Sequence, residues 1–294
     1  MTKRTSLGVA LGGGGARGAA HIGALQEMTN ARIKIDMVAG VSAGSVIAAM
    51  YAFSQDPFWI EDRFRKLWSK ETYGISKKVF STNKKPKSFL ESIKKQFIDY
   101  SIAILNLHKN SILSKDHLEE VILSLVPVKS FKELMIPLKI VATNLENGED
   151  VIYDEGDLIP ALVQSCSIPG IFSPTFSGDK IISDGGVSMP VPVSILKQEC
   201  DFTVVIDIGQ YRLSPLDSSN AKSISKRANI ITSNRLKHLL SLEADFVIRP
   251  DTLGKEWSDF DACEDLFKQG RISTSNIIQE LKTRIDHKTV NALC

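Results

Sequence analysis

The chain has 294 residues, a net charge of +2, and 24% charged against 43% hydrophobic residues. That is length enough to bury a large core, with the balance of an ordinary folded domain. A charge so near zero lacks the basic excess of a nucleic-acid binder, so no nucleic-acid partner is expected. Cys166, Cys200, Cys263 and Cys294 are scattered, with no CxxC pair and no ligand spacing; this argues against a disulfide framework or zinc site and for reduced thiols in a cytoplasmic chain.

The N-terminal Met1-Thr-Lys-Arg precedes an apolar run that glycines cut too short for a signal peptide, and no stretch reaches the length of a membrane span. The run itself, Ser6–Gly12, reads as a strand. It leads into "LGGGGARGAAHIGAL" and a helical pattern over Ala16–Asn30. A glycine-rich turn between strand and helix bares backbone N–H groups at a helix N-terminus, where negative charge is favoured. Two uses fit: cradling a phosphate, or cradling the oxyanion of an acyl-transfer reaction.

The phosphate use fails on detail. Gly13-Gly14-Gly15-Ala16-Arg17-Gly18 satisfies G-x-G-x-x-G, and Asp36 stands at about the spacing of a ribose-binding acid. Such an acid belongs at the C-terminal end of the second strand, whereas Asp36 precedes it. No Lys-Ser/Thr pair follows the glycines, so the P-loop pattern fails too.

The second strand, Met37–Ser42, delivers the alternative. Gly40-Val41-Ser42-Ala43-Gly44 is G-x-S-x-G between a strand and a helix, Ala43–Phe53, the context of a nucleophile elbow. Ser42 is then exposed at the sheet's C-terminal edge, and the first strand's loop reaches that same edge. Gly13, Gly14 and Gly15 become candidate oxyanion donors. Arg17 is a candidate for neutralising a phosphate head group or bracing the loop, with a plain surface arginine as the alternative. A tight turn in which Ser42 only caps the helix is the other reading of the motif.

Helical patterns follow at Pro57–Lys70 and Ser114–Leu125, bounding a helical excursion between about Pro57 and Val128 within one domain, residues 1–294. Ser76–Phe97 is lysine-rich and precedes the apolar stretch Phe97–Leu107. This pair suggests peripheral contact with anionic lipid, with Lys84, Lys85 and Lys87 as the charges involved. Strands are expected at Leu138–Asn144, Val151–Asp154, Lys180–Asp184, Phe202–Ile208 and Asp245–Pro250, with a helix at Pro160–Cys166. Continuously apolar runs such as "FTVVIDI" suit strands covered on both faces. Strand–helix alternation predicts an α/β fold with a largely parallel sheet flanked by helices, and turns at Asn147-Gly148 and Gly178-Asp179 predict an antiparallel part. Tyr211–His238 is polar, serine-rich and basic, and Asp261–Asp286 reads as a closing helix or helix pair.

A base for Ser42 is sought among the histidines first. None sits in a strand-end loop, and His21, on the apolar helix after the glycines, reads as a packed residue. Asp184 in "KIISDGGVSMPVP" ends an apolar strand, and Gly185-Gly186 let it approach another backbone. A carboxylate is a weak base unless buried, so the reading requires burial beside Ser42. Its alternative is an Asp-Gly turn bonding its own backbone.

"GGGGARG", "GVSAG" and "DGG", in that order, resemble the patatin-like phospholipases, and most of all small bacterial members related to neuropathy target esterase. "LKIVATNLENGEDVIYDEGDLIPALVQSCSIPGIFSP" is similar to that family's central block and "WSDFDACEDLFKQGR" to the tail of its bacterial members. The resemblance implies a three-layer α/β/α fold, a Ser–Asp dyad of Ser42 and Asp184, an oxyanion hole from Gly13–Gly15, and neither metal nor cofactor. It further implies phospholipid, lysophospholipid or other lipophilic ester substrates. Asn144, where the family often has aspartate, and "SMPVP", in place of an asparagine-proline pair, depart from its pattern. Two other readings stay open: a non-catalytic lipid-binding protein of the same fold, and an acyltransferase.

Overall fold

The strand at Leu7–Leu11 (β1) alternates its side chains between two apolar environments. Leu7, Val9 and Leu11 enter the larger core, and Ala10 enters a smaller one on the opposite face, as the period of two requires. The computed structural model describes residues 5–68, 115–216 and 218–291. Within them β1 pairs in parallel with β2 (Met37–Val41) and with β7 (Phe202–Ile206). β3 (Leu138–Asn144) and β8 (Phe246–Ile248) extend the parallel array on either side. β4 (Asp150–Tyr153), β5 (Thr175–Ser177) and β6 (Lys180–Asp184) add the antiparallel pairings around β3. The turns at Asn147-Gly148 and Gly178-Asp179 therefore do join antiparallel strands.

Helices cover both faces. α1 (Ala19–Asn30), α2 (Ala43–Ser54), α3 (Pro57–Trp68), α4 (Lys115–Leu125), α5 (Leu158–Ser165), α8 (Cys263–Ser275) and α9 (Ile278–Asn291) lie on the side of the larger core. α6 (Val193–Lys197) and α7 (Ala221–Ser241) close the other side through Val193, Leu196 and Leu240. The fold is α/β, a largely parallel central sheet between helical layers.

The pairing of β3 fixes the site. Ile140 and Val141 are flanked by β2 and β4, while Ala142 and Thr143 are flanked by β4 and β6. A strand has two edges, so β2 and β6 share the one that β4 leaves. They run toward each other along it: β2 ends with Val41 opposite Val141, and β6 ends with Asp184 opposite Ala142. The residue after Val41 is Ser42. Two strands meeting end to end thus bring Ser42 and Asp184 together from 142 positions apart in the chain.

Several boundaries differ from the sequence reading. The first helix is preceded by a separate 3-10 turn, Gly15–Gly18, whose first residue, Gly15, has φ +58°, a backbone that no right-handed α-helix contains. The polar stretch after Tyr211 contains the 21-residue helix α7, capped by the Asn220 side chain accepting from the Ser223 N–H at 2.9 Å. The lysine-rich Ser76–Phe97 and apolar Phe97–Leu107 lie outside the described residues. Among the described residues, no helix is long and apolar enough to cross a membrane.

Candidate active site

Ser42 stands between β2 and α2 with φ 54° and ψ −130°. A residue with a side chain is rarely held there, and such backbone strain persists only where the surroundings enforce it. They do so here by close packing. A side chain on Gly44 would strike the Leu11 carbonyl oxygen at 2.2 Å, so only glycine lets α2 begin against the end of β1. The Ser42 N–H donates to Ser165 Oγ at 2.9 Å, and Ser165 donates on to the Val141 carbonyl at 2.7 Å. Ser42 makes no side-chain capping bond to its helix, which removes the capping alternative. Its hydroxyl stands close enough to Asp184 to favour the ionised carboxylate.

Asp184 is buried. One of its oxygens, Oδ1, accepts the Gly186 N–H at 2.7 Å, so the Asp-Gly turn is present and orients the carboxylate instead of competing with the Ser42 contact. Burial pushes the Asp184 pKa up to about 6, against the hydrogen bonds from Ser42 and Gly186 and the charge of Lys237. A carboxyl group moved to that range matches the demands of general-base work near neutral pH.

Three carbonyls of the glycine loop are held. The Gly12 oxygen meets His21 Nε2 at 2.8 Å, the Gly13 oxygen accepts from Lys237 Nζ at 2.6 Å, and the Gly14 oxygen accepts from the Arg17 N–H at 3.3 Å. Its donors divide differently from the sequence expectation. The Gly13 N–H donates to the Pro190 carbonyl at 3.0 Å, whereas those of Gly14 and Gly15 meet no hydrogen-bond partner among the described residues and border the opening shared with Ser42 and Asp184. The free donors of this loop are thus Gly14 and Gly15, with Gly13 anchoring its start.

Arg17 is buried and gives Nη1 to Gln210 Oε1 at 3.2 Å and to the Lys255 carbonyl at 3.3 Å. Those bonds tie the loop to the segments after β7 and β8. Burial lowers its pKa to about 10, opposed by Asp207, Glu256 and Asp259. His21 is fully buried, and desolvation lowers its pKa to about 4. Because a carbonyl only accepts, Nε2 carries the proton toward Gly12. His21 is a neutral brace for the loop.

Two residues went unnoticed in the sequence. Asp207, at the end of β7, is buried against Arg249 Nε at 3.1 Å and the Tyr211 hydroxyl at 2.5 Å. Its signal was available, since it ends "FTVVID" much as Asp184 ends "KIISD". Lys237 gave no signal, being one cation among many in a basic, serine-rich stretch. Asp36 accepts the Leu7 N–H at 2.8 Å at the opposite end of the sheet from Ser42.

An apolar cavity opens beside Ser42. Val46 of α2, Leu67 of α3, Leu118 and Val121 of α4, Ile171 and Phe260 are among its walls. Among the described residues no cluster of His, Cys, Asp or Glu stands together that would hold a metal ion.

Residues 9–197 match the profile of the patatin-like phospholipases. The chain belongs to this family. Among its relatives is an uncharacterized NTE family protein of Mycobacterium tuberculosis, 27% identical over 71% of this chain and 51% of that protein. The lysophospholipase NTE1 of Kluyveromyces lactis is 23% identical over 95% of this chain and 20% of its own length. The chain thus spans about half or less of these patatin-like relatives. Human GIVD cytosolic phospholipase A2 is a structural neighbour, with a TM-score of 0.49, 11% identity, and coverage of 96% of this chain and 60% of that one.

Proposed function

We propose that the chain is a lipid acyl hydrolase that works through a Ser42–Asp184 dyad. The observation that carries this reading is Ser42, held in a strained elbow, sharing one opening with the buried carboxylate of Asp184 and lining an apolar cavity. Asp184 takes the proton from Ser42 Oγ as that oxygen attacks the ester carbonyl carbon. The carbonyl oxygen becomes an oxyanion and is met by the Gly14 and Gly15 N–H groups. Collapse of this intermediate breaks the bond to the alcohol, which leaves with the proton from Asp184. Water then repeats the sequence on the acyl-enzyme and releases the fatty acid. Family membership and the lysophospholipase among the relatives support a lipid ester, either phospholipid or lysophospholipid, as substrate. A panel of p-nitrophenyl esters, lysophospholipids and phospholipids, together with fluorophosphonate labelling, tests the reading. Labelling without turnover points to the binding protein, and net transfer to an added alcohol in place of hydrolysis points to the acyltransferase.

The pH profile should carry the mark of Asp184. The base must be ionised, and its raised pKa delays ionisation, so the acid limb of the kcat/KM profile for a short soluble ester should rise with pH and be half-complete near pH 6. A carboxylate at its ordinary value would be fully active by pH 5, and a profile already flat there removes Asp184 as the base.

Chain-length selectivity should follow the cavity. Val46 lies one helical turn beyond Ser42 and faces the cavity, so Val46→Phe fills the space nearest the nucleophile. The expected result is a fall of roughly tenfold or more in kcat/KM for dodecanoyl esters, with acetyl and butyryl esters little changed. An equal loss on every chain length would place the acyl chain elsewhere.

A further inference from the structure

We propose that Lys237 is a positioning residue for the oxyanion donors, acting through the Gly13–Gly14 peptide. In a planar trans peptide the C=O of one residue and the N–H of the next point in opposite directions. Lys237 Nζ, reaching from α7, holds the Gly13 oxygen at 2.6 Å and so fixes the direction of the Gly14 N–H, which leaves the peptide on the side away from the ammonium; Gly14 and Lys237 both border the opening that Ser42 and Asp184 share. The contact also polarises the amide. A cation on the carbonyl oxygen draws electron density from the nitrogen and makes its N–H a stronger donor, the usual cooperativity of hydrogen-bond chains. The Gly14 peptide is held at its own oxygen by the Arg17 N–H at 3.3 Å, a neutral contact, so the charge-assisted member of the pair is Lys237.

The ammonium is costly where it sits. Lys237 is buried, and the charged groups around it are Arg17 from the turn after β1, Asp207 from the end of β7 and Asp184 from the end of β6, with His21 of α1 nearby and neutral. Burial and the Arg17 charge lower its pKa to about 7, against the pull of Asp207 and Asp184. An uncharged side chain of similar size would fill the space without that desolvation penalty. What it would not supply is a charged donor on the loop. The same shift means that the charge on Lys237 is lost as pH rises through about 7, while Asp184 gains its charge near 6.

The inference rests on the hydrolase reading, and its test separates the two. Matched p-nitrophenyl oxo- and thionoesters are assayed with wild type and Lys237→Met. Sulfur is a weak hydrogen-bond acceptor, so the ratio of oxoester to thionoester kcat measures what the oxyanion donors contribute. Lys237→Met should lower oxoester kcat by roughly ten- to a hundredfold, below the loss of a whole donor, with KM little changed and the ratio collapsing toward that of an enzyme without donors. A general structural defect would lower both esters by the same factor and leave the ratio intact, and that result, or no loss at all, overturns the proposal. If Lys237→Met does not fold, wild type answers: the ratio should fall as pH rises through about 7, whereas titration of Asp184 moves both esters together. A ratio flat across that range overturns the proposal equally. Wild type that turns over neither ester with dependence on Ser42 would overturn the hydrolase reading, and this inference with it.

Discussion

Ser42→Ala and Asp184→Asn are each expected to reduce ester hydrolysis by at least about 10⁴-fold, and the double variant to be little worse than either single one. The non-additivity follows from the contact: a serine without its base and a base without its serine both leave the same step undone. Neither change should disturb the fold. The Ser42 hydroxyl caps nothing on α2, so alanine removes no structural bond. Asparagine at 184 keeps an oxygen that accepts the Gly186 N–H, the 2.7 Å bond that sets the turn, and it removes a buried charge. Kinetics with a soluble ester and thermal melts of the same samples check both halves. Near-normal turnover in a folded Asp184→Asn protein would remove the dyad. A triad through His21 is a poor substitute, because its Nε2 proton is given to the Gly12 carbonyl and its Nδ1 is buried without a partner.

What the sequence disclosed and what it hid follow from the range of the forces involved. Ser42 and Asp184 stood out because glycines punctuate apolar strands beside them, and such punctuation is local: Gly40 and Gly44 on one strand end, Gly185 and Gly186 on the other. That the two strands meet head-on along one edge of β3 is a matter of register between segments far apart in sequence, which no local pattern encodes. The split of donors in the glycine loop was hidden for the same reason. Four consecutive glycines look alike until Pro190 claims the N–H of one of them. α7 carries no Gly or Pro over Ala221–Ser241, a helix signal weaker than the loop-like signal of its serines and charges. Lys237 was invisible since the α7 face that turns inward is fixed only by packing against the sheet.

Gly15→Ala should disable turnover more severely than Gly14→Ala, although the two glycines are neighbours with the same assigned task. Gly14 has φ 175°, outside the left-handed region, and its added carbon would meet the Ile208 side chain at 2.6 Å, a contact that a rotating isoleucine end can relieve. Gly15 has φ +58°, and its added carbon would fall 2.3 Å from the Trp257 carbonyl oxygen. That oxygen is already fixed by the Ala16 N–H at 2.7 Å, so the clash is backbone against backbone and the loop itself must give way. The movement takes the Gly15 N–H with it and breaks the tie between this loop and the segment after β8. Loss of one well-aimed oxyanion donor costs roughly 10²–10³-fold in kcat, or about 3–4 kcal/mol of barrier. The expected result is a loss of that order for Gly15→Ala with Ser42 still labelled slowly by a fluorophosphonate, and a loss of about tenfold or less for Gly14→Ala. Single-turnover acylation rates measured on folded samples decide it. Equal and small losses for the two variants would mean that the oxyanion is stabilised by other groups, and the glycine loop would then serve only to close β1 onto α2.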